Sequence, residues 1–210
     1  MISIIIVKYA ICFLHGVDHV RLTNEQAKQN RQLILETASW MFRLHGMENV
    51  SVADIMKQSG FTHGGFYNHF NSKEELAAEA VSCAFEKSAH GLSEKFASAR
   101  SPQKALETII AEYLSPAYRD SSTGGCPASA LPADAARNSK EVQAAFAEGV
   151  ESYLEIFAAR MDGSKQEARE KAIALLSGLV GALMLSRAVK KSNPKLSEEL
   201  LSSARRRLCK

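Results

Sequence analysis

Residues 51–73 read SVADIMKQSGFTHGGFYNHFNSK. Ser51 is placed to cap the first backbone amides of a helix, and Asp54, three residues on, returns the bond to the cap: a capping box. Val52, Ile55 and Met56 give that short helix one apolar face, and Gly60 ends it. Only Phe61 and Thr62 precede a second short helical piece, His63 to His69, whose Phe66 and Phe70 point back to a core. The spacing therefore predicts two short helices joined across a tight glycine turn, with Thr62, His63, Tyr67, Asn68 and His69 left facing outward. Gly64 and Gly65 cost about 1 kcal/mol each relative to alanine inside a helix, so stability alone gives no reason for them.

Working outward, the rest of the chain reads as all-α. Of 210 residues, 46% are hydrophobic and 23% charged, and only five are proline. Before the decisive stretch, Leu33/Ile34, Thr37/Ala38 and Met41/Phe42 mark a helix over Asn30–Leu44 that Gly46 stops, with Thr23 placed to start an extra turn or an arm. After it, Ser72 and Glu75 open a long helix running towards Phe96. Ser101-Pro102 opens another expected to end near Arg119. Asp120–Gly125 is the clearest loop, followed by a short Ala-rich helix at Cys126-Pro127 that Pro132 should interrupt. Helices are then expected over Glu141–Met161, Lys165–Val189 and Ser197–Leu208. The second of these carries apolar residues on more than one face, with Gly178, Gly181 and Ala182 permitting the close approach of another helix.

Charge excludes binding of a polyanion by bulk attraction alone. The net charge is +3, and six basic residues between Arg21 and Leu76 are matched by six acidic ones, so any such affinity must come from placement. Cys12, Cys83, Cys126 and Cys209 are scattered, which suggests neither a zinc site nor a disulfide framework and fits a reducing cytoplasm. His63 and His69 fall on different faces of their helix, so no metal site is expected, and nothing calls for a cofactor. The apolar opening Ile4–Leu14, about eleven residues against the ~20 a bilayer needs, has a pattern unlike anything downstream. Residues 1–20 are read as an extension outside the fold, from a start assigned too early or a cloning remnant, and no membrane partner is expected. None of the common catalytic or nucleotide-binding motifs is present, which argues against an enzyme.

Outward hydroxyls, amides and imidazoles on a short helix behind a tight turn form the arrangement that inserts into a DNA groove. Ser51 and Thr62, with Lys73 on the same side, suit phosphate oxygens; His63 and Asn68 suit base edges; Gly64 and Gly65 allow close approach to a backbone. Residues 30–76 resemble the DNA-binding domain of the TetR/AcrR family of bacterial regulators. The family hallmark T-x-G-x-x-Y-x-H-F-x-x-K-x-x-L stands here as Thr62, Gly64, Tyr67, His69, Phe70, Lys73 and Leu76. The resemblance implies phosphate contacts by Tyr67, His69 and Lys73, entry of His63–Asn68 into the major groove, and capping by Ser51 of the helix that abuts the backbone. Met56 and Gly65 depart from residues common in the family.

The resemblance extends to residues 77–210 as a ligand-binding and dimerisation half, and Gly125-Cys126-Pro127 with Leu175–Ala188 is similar to one subgroup. The organisation expected is an extension (1–20), a helix-turn-helix domain (21–76) and a helical ligand-binding domain (77–210). Two chains would present their DNA-reading helices ~34 to 36 Å apart to a near-palindromic double-stranded operator. A small, largely apolar effector in a pocket among Leu106, Ile110, Tyr113, Cys126, Phe146 and Tyr153 would release the DNA. Cys126 is open to two readings, packing residue or thiol sensor. The rival to a ligand-responsive repressor is a helical ligand-binding or protein-interaction module without a DNA function.

Overall fold

The computed structural model describes residues 23–209, and the apolar opening lies outside the described residues. These form ten α-helices and one 3₁₀ helix, without strands. Helix α1 (Asn24–His45) begins six residues before the expected start, because Thr23 and Gln26 form a second capping box that sustains a polar, exposed first turn. Ile34, Leu35, Ala38 and Phe42 form its buried stripe, and Gly46, at φ +82°, lets the chain leave the helix. Helix α2 (Val52–Gln58) has the Ser51/Asp54 capping box read from the sequence. Gly60, also at φ +82°, makes the turn into the 3₁₀ helix His63–Asn68. The Phe66 and Phe70 rings, buried and 5.7 Å apart, stack beneath it.

Helix α3 (Lys73–Ser98), capped by Ser72, runs unbroken through Leu76 and Ala77. It packs on α1 near its start and, most extensively, on the later helix α8 (Lys140–Ala158). The α3–α8 approach is close: a Cβ on Gly149 would lie 2.1 Å from the Phe85 ring. The helix expected to reach Arg119 is instead two, α4 (Pro102–Tyr113) and α5 (Pro116–Arg119). Pro116 has no amide to continue the ladder and forces Ser115 to an extended conformation, ψ 151°. Pro132 likewise separates α6 (Pro127–Ala130) from α7 (Pro132–Ala136).

Helix α8 stops at Ala158, three residues short of the expected Met161. Helix α9 (Lys165–Val189) has the bounds read from the sequence, with its own capping box at Ser164/Glu167. Helix α9 is long and apolar enough to cross a membrane, a property it shares with core helices. Here one face of it, including Ala172, Leu175, Leu179 and Leu183, is buried in the core. Helix α10 (Pro194–Leu208) starts three residues early, since the Asn193 side chain caps the Leu196 amide and Pro194 takes the first helical position. A buried pair of hydroxyls, Ser186 and Ser197 at 2.7 Å, fastens α10 to α9.

Candidate DNA interface and ligand cavity

The face from Thr62 to Asn68 is open to solvent apart from Phe66 and the half-buried Gly65. Tyr67 is 68% exposed, a large exposure for an aromatic ring, and its ring meets Phe66 edge-on at 5.2 Å. His63 and Asn68 project beside it, and Thr62 makes no side-chain cap bond. A Cβ on Gly64 would meet nothing within 4 Å, and one on Gly65 would make only ordinary contacts at 3.7 Å with Met56 and Thr62. Neither glycine has a positive φ. The fold itself therefore asks for glycine at neither position, and the bare backbone faces outward.

Ser51 Oγ accepts the Asp54 amide at 3.1 Å, and hydrogen bonds from Ser51 hold the Asp54 carboxyl below the usual carboxylate range. His69 is half-buried, and burial together with the nearby Arg31 cation lowers its pKa below the ordinary 6.5. Arg31 was not singled out from the sequence. It grips Glu79 with both guanidinium ends, at 2.6 and 2.7 Å, donates to the His69 carbonyl at 3.1 Å, and lies 4.3 Å over the Phe70 ring. Its role is to tie the end of the 3₁₀ helix to α1 and α3, and only the fold brings positions 31, 69 and 79 together. Lys73, at the start of α3, donates from Nζ to the Met47 carbonyl at 2.9 Å. An ammonium has three donors, so this leaves two for a phosphate.

In the other half of the molecule a cavity of about 290 Å³ opens among α3, α4, α5, α8 and α9. Tyr113, Cys126 and Tyr153 share its wall with Ile109, Tyr118 and Phe157. The remaining three expected lining residues lie elsewhere. Ile110 is turned fully into the core, Leu106 opens onto a separate groove with Arg160 and Lys171, and Phe146 packs edge-on against Phe85 at 5.2 Å. Helical periodicity identifies which face is apolar but not which apolar side chain borders a void, so Ile109 takes the place expected of Ile110.

The cavity is apolar with a few polar points. The Tyr113 hydroxyl is buried and has no hydrogen-bond partner among the described residues. Cys126 Sγ lies 3.6 Å from the Tyr153 hydroxyl. Burial raises the pKa of all three tyrosines, that of Tyr118 to about 12, so they are neutral hydrogen-bonding groups at pH 7. A Lys95–Glu112 ion pair lies at the rim. Cys126 is 6% exposed and packs as part of the wall.

Known proteins place this geometry. The family model "Bacterial regulatory proteins, tetR family" matches residues 34–80, and "Transcriptional regulator LmrA/YxaF-like, C-terminal domain" matches residues 102–197. The HTH-type transcriptional regulator YxaF of Bacillus subtilis is 29% identical over 80% of this chain and 90% of its own length. LmrA from the same organism is 25% identical over 80% and 91%. The fold is that of NemR from E. coli in its reduced form, with a TM-score of 0.71, 16% identity, and 86% of this chain and 95% of that one covered. An open helix-turn-helix face, an all-helical partner half and matches to both halves lead to one conclusion: the chain belongs to the TetR/AcrR family of bacterial transcriptional regulators and is a DNA-binding regulator.

Proposed function

We propose that this protein is a cytoplasmic, homodimeric repressor that leaves a near-palindromic operator when a small molecule enters its cavity. The observation that carries the reading is the open face of residues 62–68, where Tyr67 stands in solvent beside two glycines that the fold does not require. On this reading Tyr67, His69 and Lys73 contact phosphates, His63 and Asn68 approach base edges, and Gly64 and Gly65 let the backbone come close. Residues 21–76 read the DNA, and residues 77–210 bind the effector and the second chain.

The exposed sides of α9 and α10 suit that second chain. Gly181 has open space around it, and Leu185 and Leu196 are 56% and 38% exposed on the same groove. An isologous contact there would set the spacing of the two reading heads. The cavity favours a largely apolar effector with a hydrogen-bond acceptor for the unpartnered Tyr113 hydroxyl. Its effect on DNA requires only unequal affinity for the two spacings.

The test is binding of the full chain to duplexes from the region flanking its own gene and to a random duplex, at two salt concentrations. Tyr67→Ala and Lys73→Ala should each weaken both, and loss of the Lys73 contact should reduce the salt slope by about one. Wild-type affinities for both duplexes in the two variants would remove the DNA assignment.

A further inference from the structure

We propose that Asp134 is a positioning residue for DNA binding: its carboxylate holds the backbone of Met47, and the backbone of Met47 holds Lys73. The proposal rests on the reading of residues 62–73 as the DNA-facing surface.

Met47 follows the glycine turn that ends α1. Its amide donates to Asp134 Oδ1 at 2.9 Å, across 87 positions of sequence. Its carbonyl accepts from Lys73 Nζ, also at 2.9 Å. Its side chain is 2% exposed, and the Asn138 amide nitrogen lies 3.6 Å from its sulfur. Asp134 also sits over the turn itself, since a Cβ on Gly46 would come within 3.4 Å of the same carboxylate oxygen. An acidic residue in the first turn of α7 suits that helix's own amides, yet this one reaches out of its helix to a backbone group in the other half of the molecule. A hydrogen bond to a charged acceptor is among the stronger ones. Met47 is thereby fixed at both polar groups, from one side by the ligand half and from the other by the lysine.

The same segment reaches the cavity. Cys126, on the cavity wall, is the residue before α6, and Ala128, Leu131 and Ala135 are buried, so α6 and α7 are seated in the core. Two residues before Cys126, Gly124 takes φ +81° and lies against α1, where a Cβ would stand 2.9 Å from Arg43 Cβ and 3.5 Å from the Trp40 carbonyl. The stretch from Gly124 to Asn138 thus touches the DNA-binding half at both ends and the cavity near one of them. An occupant that displaces Cys126 acts on the same piece of chain that carries Asp134, and the Met47 carbonyl carries that displacement to the Lys73 ammonium. Such a link is a coupling free energy between two sites, equal in both directions.

The test compares Asp134→Ala, Asp134→Asn, Lys73→Ala and the double variant Asp134→Ala/Lys73→Ala. The readouts are affinity of the full chain for the duplex flanking its own gene and hydrogen exchange at the Met47 amide. Asp134→Ala should weaken binding roughly tenfold, the size expected for loss of a charge-assisted hydrogen bond, and expose the Met47 amide. Asp134→Asn, which keeps the acceptor oxygen, should recover most of both. The double variant should bind no more weakly than Lys73→Ala alone, because both changes break one chain of contacts. The proposal is overturned if Asp134→Ala binds as tightly as wild type, if the two losses multiply, or if Asp134→Asn fails as badly as alanine. Should Asp134→Ala not fold, Asp134→Glu, which keeps the charge and misplaces the carboxylate, is measured against the same outcomes. If the wild-type chain binds no duplex, the DNA reading itself fails; if wild type binds and Asp134→Ala matches it, only the link through Met47 does.

Discussion

The two halves of this molecule carry their functional side chains in opposite directions. Around residues 51–73, short helices are held by caps, glycine turns and a small aromatic core, and Thr62, His63, Tyr67 and Asn68 project into water. Around the cavity, long helices enclose Tyr113, Cys126 and Tyr153, and the groups that line the space are themselves part of the packing. Outward groups can change without disturbing the fold, whereas inward groups cannot change without touching both fold and site. A regulator built this way can diverge in operator and effector by separate physical routes.

The largest expected effect that tests this contrast is at Gly149. An added Cβ there would overlap the Phe85 ring at 2.1 Å, and Phe85 packs against Tyr153, a cavity residue. Gly149→Ala should therefore destabilise the protein by about 1–3 kcal/mol in thermal or denaturant unfolding and should alter the cavity as well. Wild-type stability in that variant would mean that α3 and α8 separate without cost. In the outward half the sign reverses. Gly64→Ala meets open space at an ordinary φ, so it should raise stability by about 0.4–1 kcal/mol through the unfolded chain, while titration shows weaker binding to DNA. Tighter or unchanged DNA binding would mean that no close approach occurs there.

The smallest effect is in pH dependence, at the half-buried His69. Its pKa is lowered in the folded protein by burial and by Arg31, so the unfolded chain binds the proton more readily. The stability arising from this group is present above pH 6.5 and is lost as pH falls through 6.5 towards the lower folded value. His69→Gln should flatten that limb of the stability curve in chemical denaturation between pH 7 and 5. An unchanged slope would place His69 in solvent with the other outward groups.

How much of this was legible in the sequence follows from the range of the forces involved. The capping box at Ser51, the cap at Ser72 and the glycine turns are local, with all their partners within a few residues, and the sequence reading finds them; the box at Ser164 with Glu167 is equally local but only the structure brings it out. Thr23 with Gln26, and Asn193 with Pro194, obey the same rules but lie in polar stretches where no apolar stripe marks a helix, so those starts were set three to six residues late. Pro116 splits a helix read as one because the apolar spacing up to Leu114 marks which face is buried but not where the ladder stops, which the proline decides. The cavity is a different matter. Ile109 and Ile110 are adjacent and alike, and only the packing of α3, α8 and α9 decides which borders the void. Arg31 and Asp134 were illegible for the same reason, since their partners are 38 to 87 positions away.

Helix α3 runs unbroken from the residue that reaches the Met47 carbonyl to the residues that border the cavity. Its 26 residues make a rod of about 39 Å, with Lys73 at one end and the cavity residues Leu92 and Lys95 towards the other. A lever of that length multiplies small angles: swinging it by about five degrees displaces its far end by about 3 Å, the length of a hydrogen bond. On the proposed reading, an occupant that tilts α3 about its close contact with α8 at Phe85 and Gly149 would move the Lys73 end by a distance that a phosphate contact does not survive, without the rod itself having to bend.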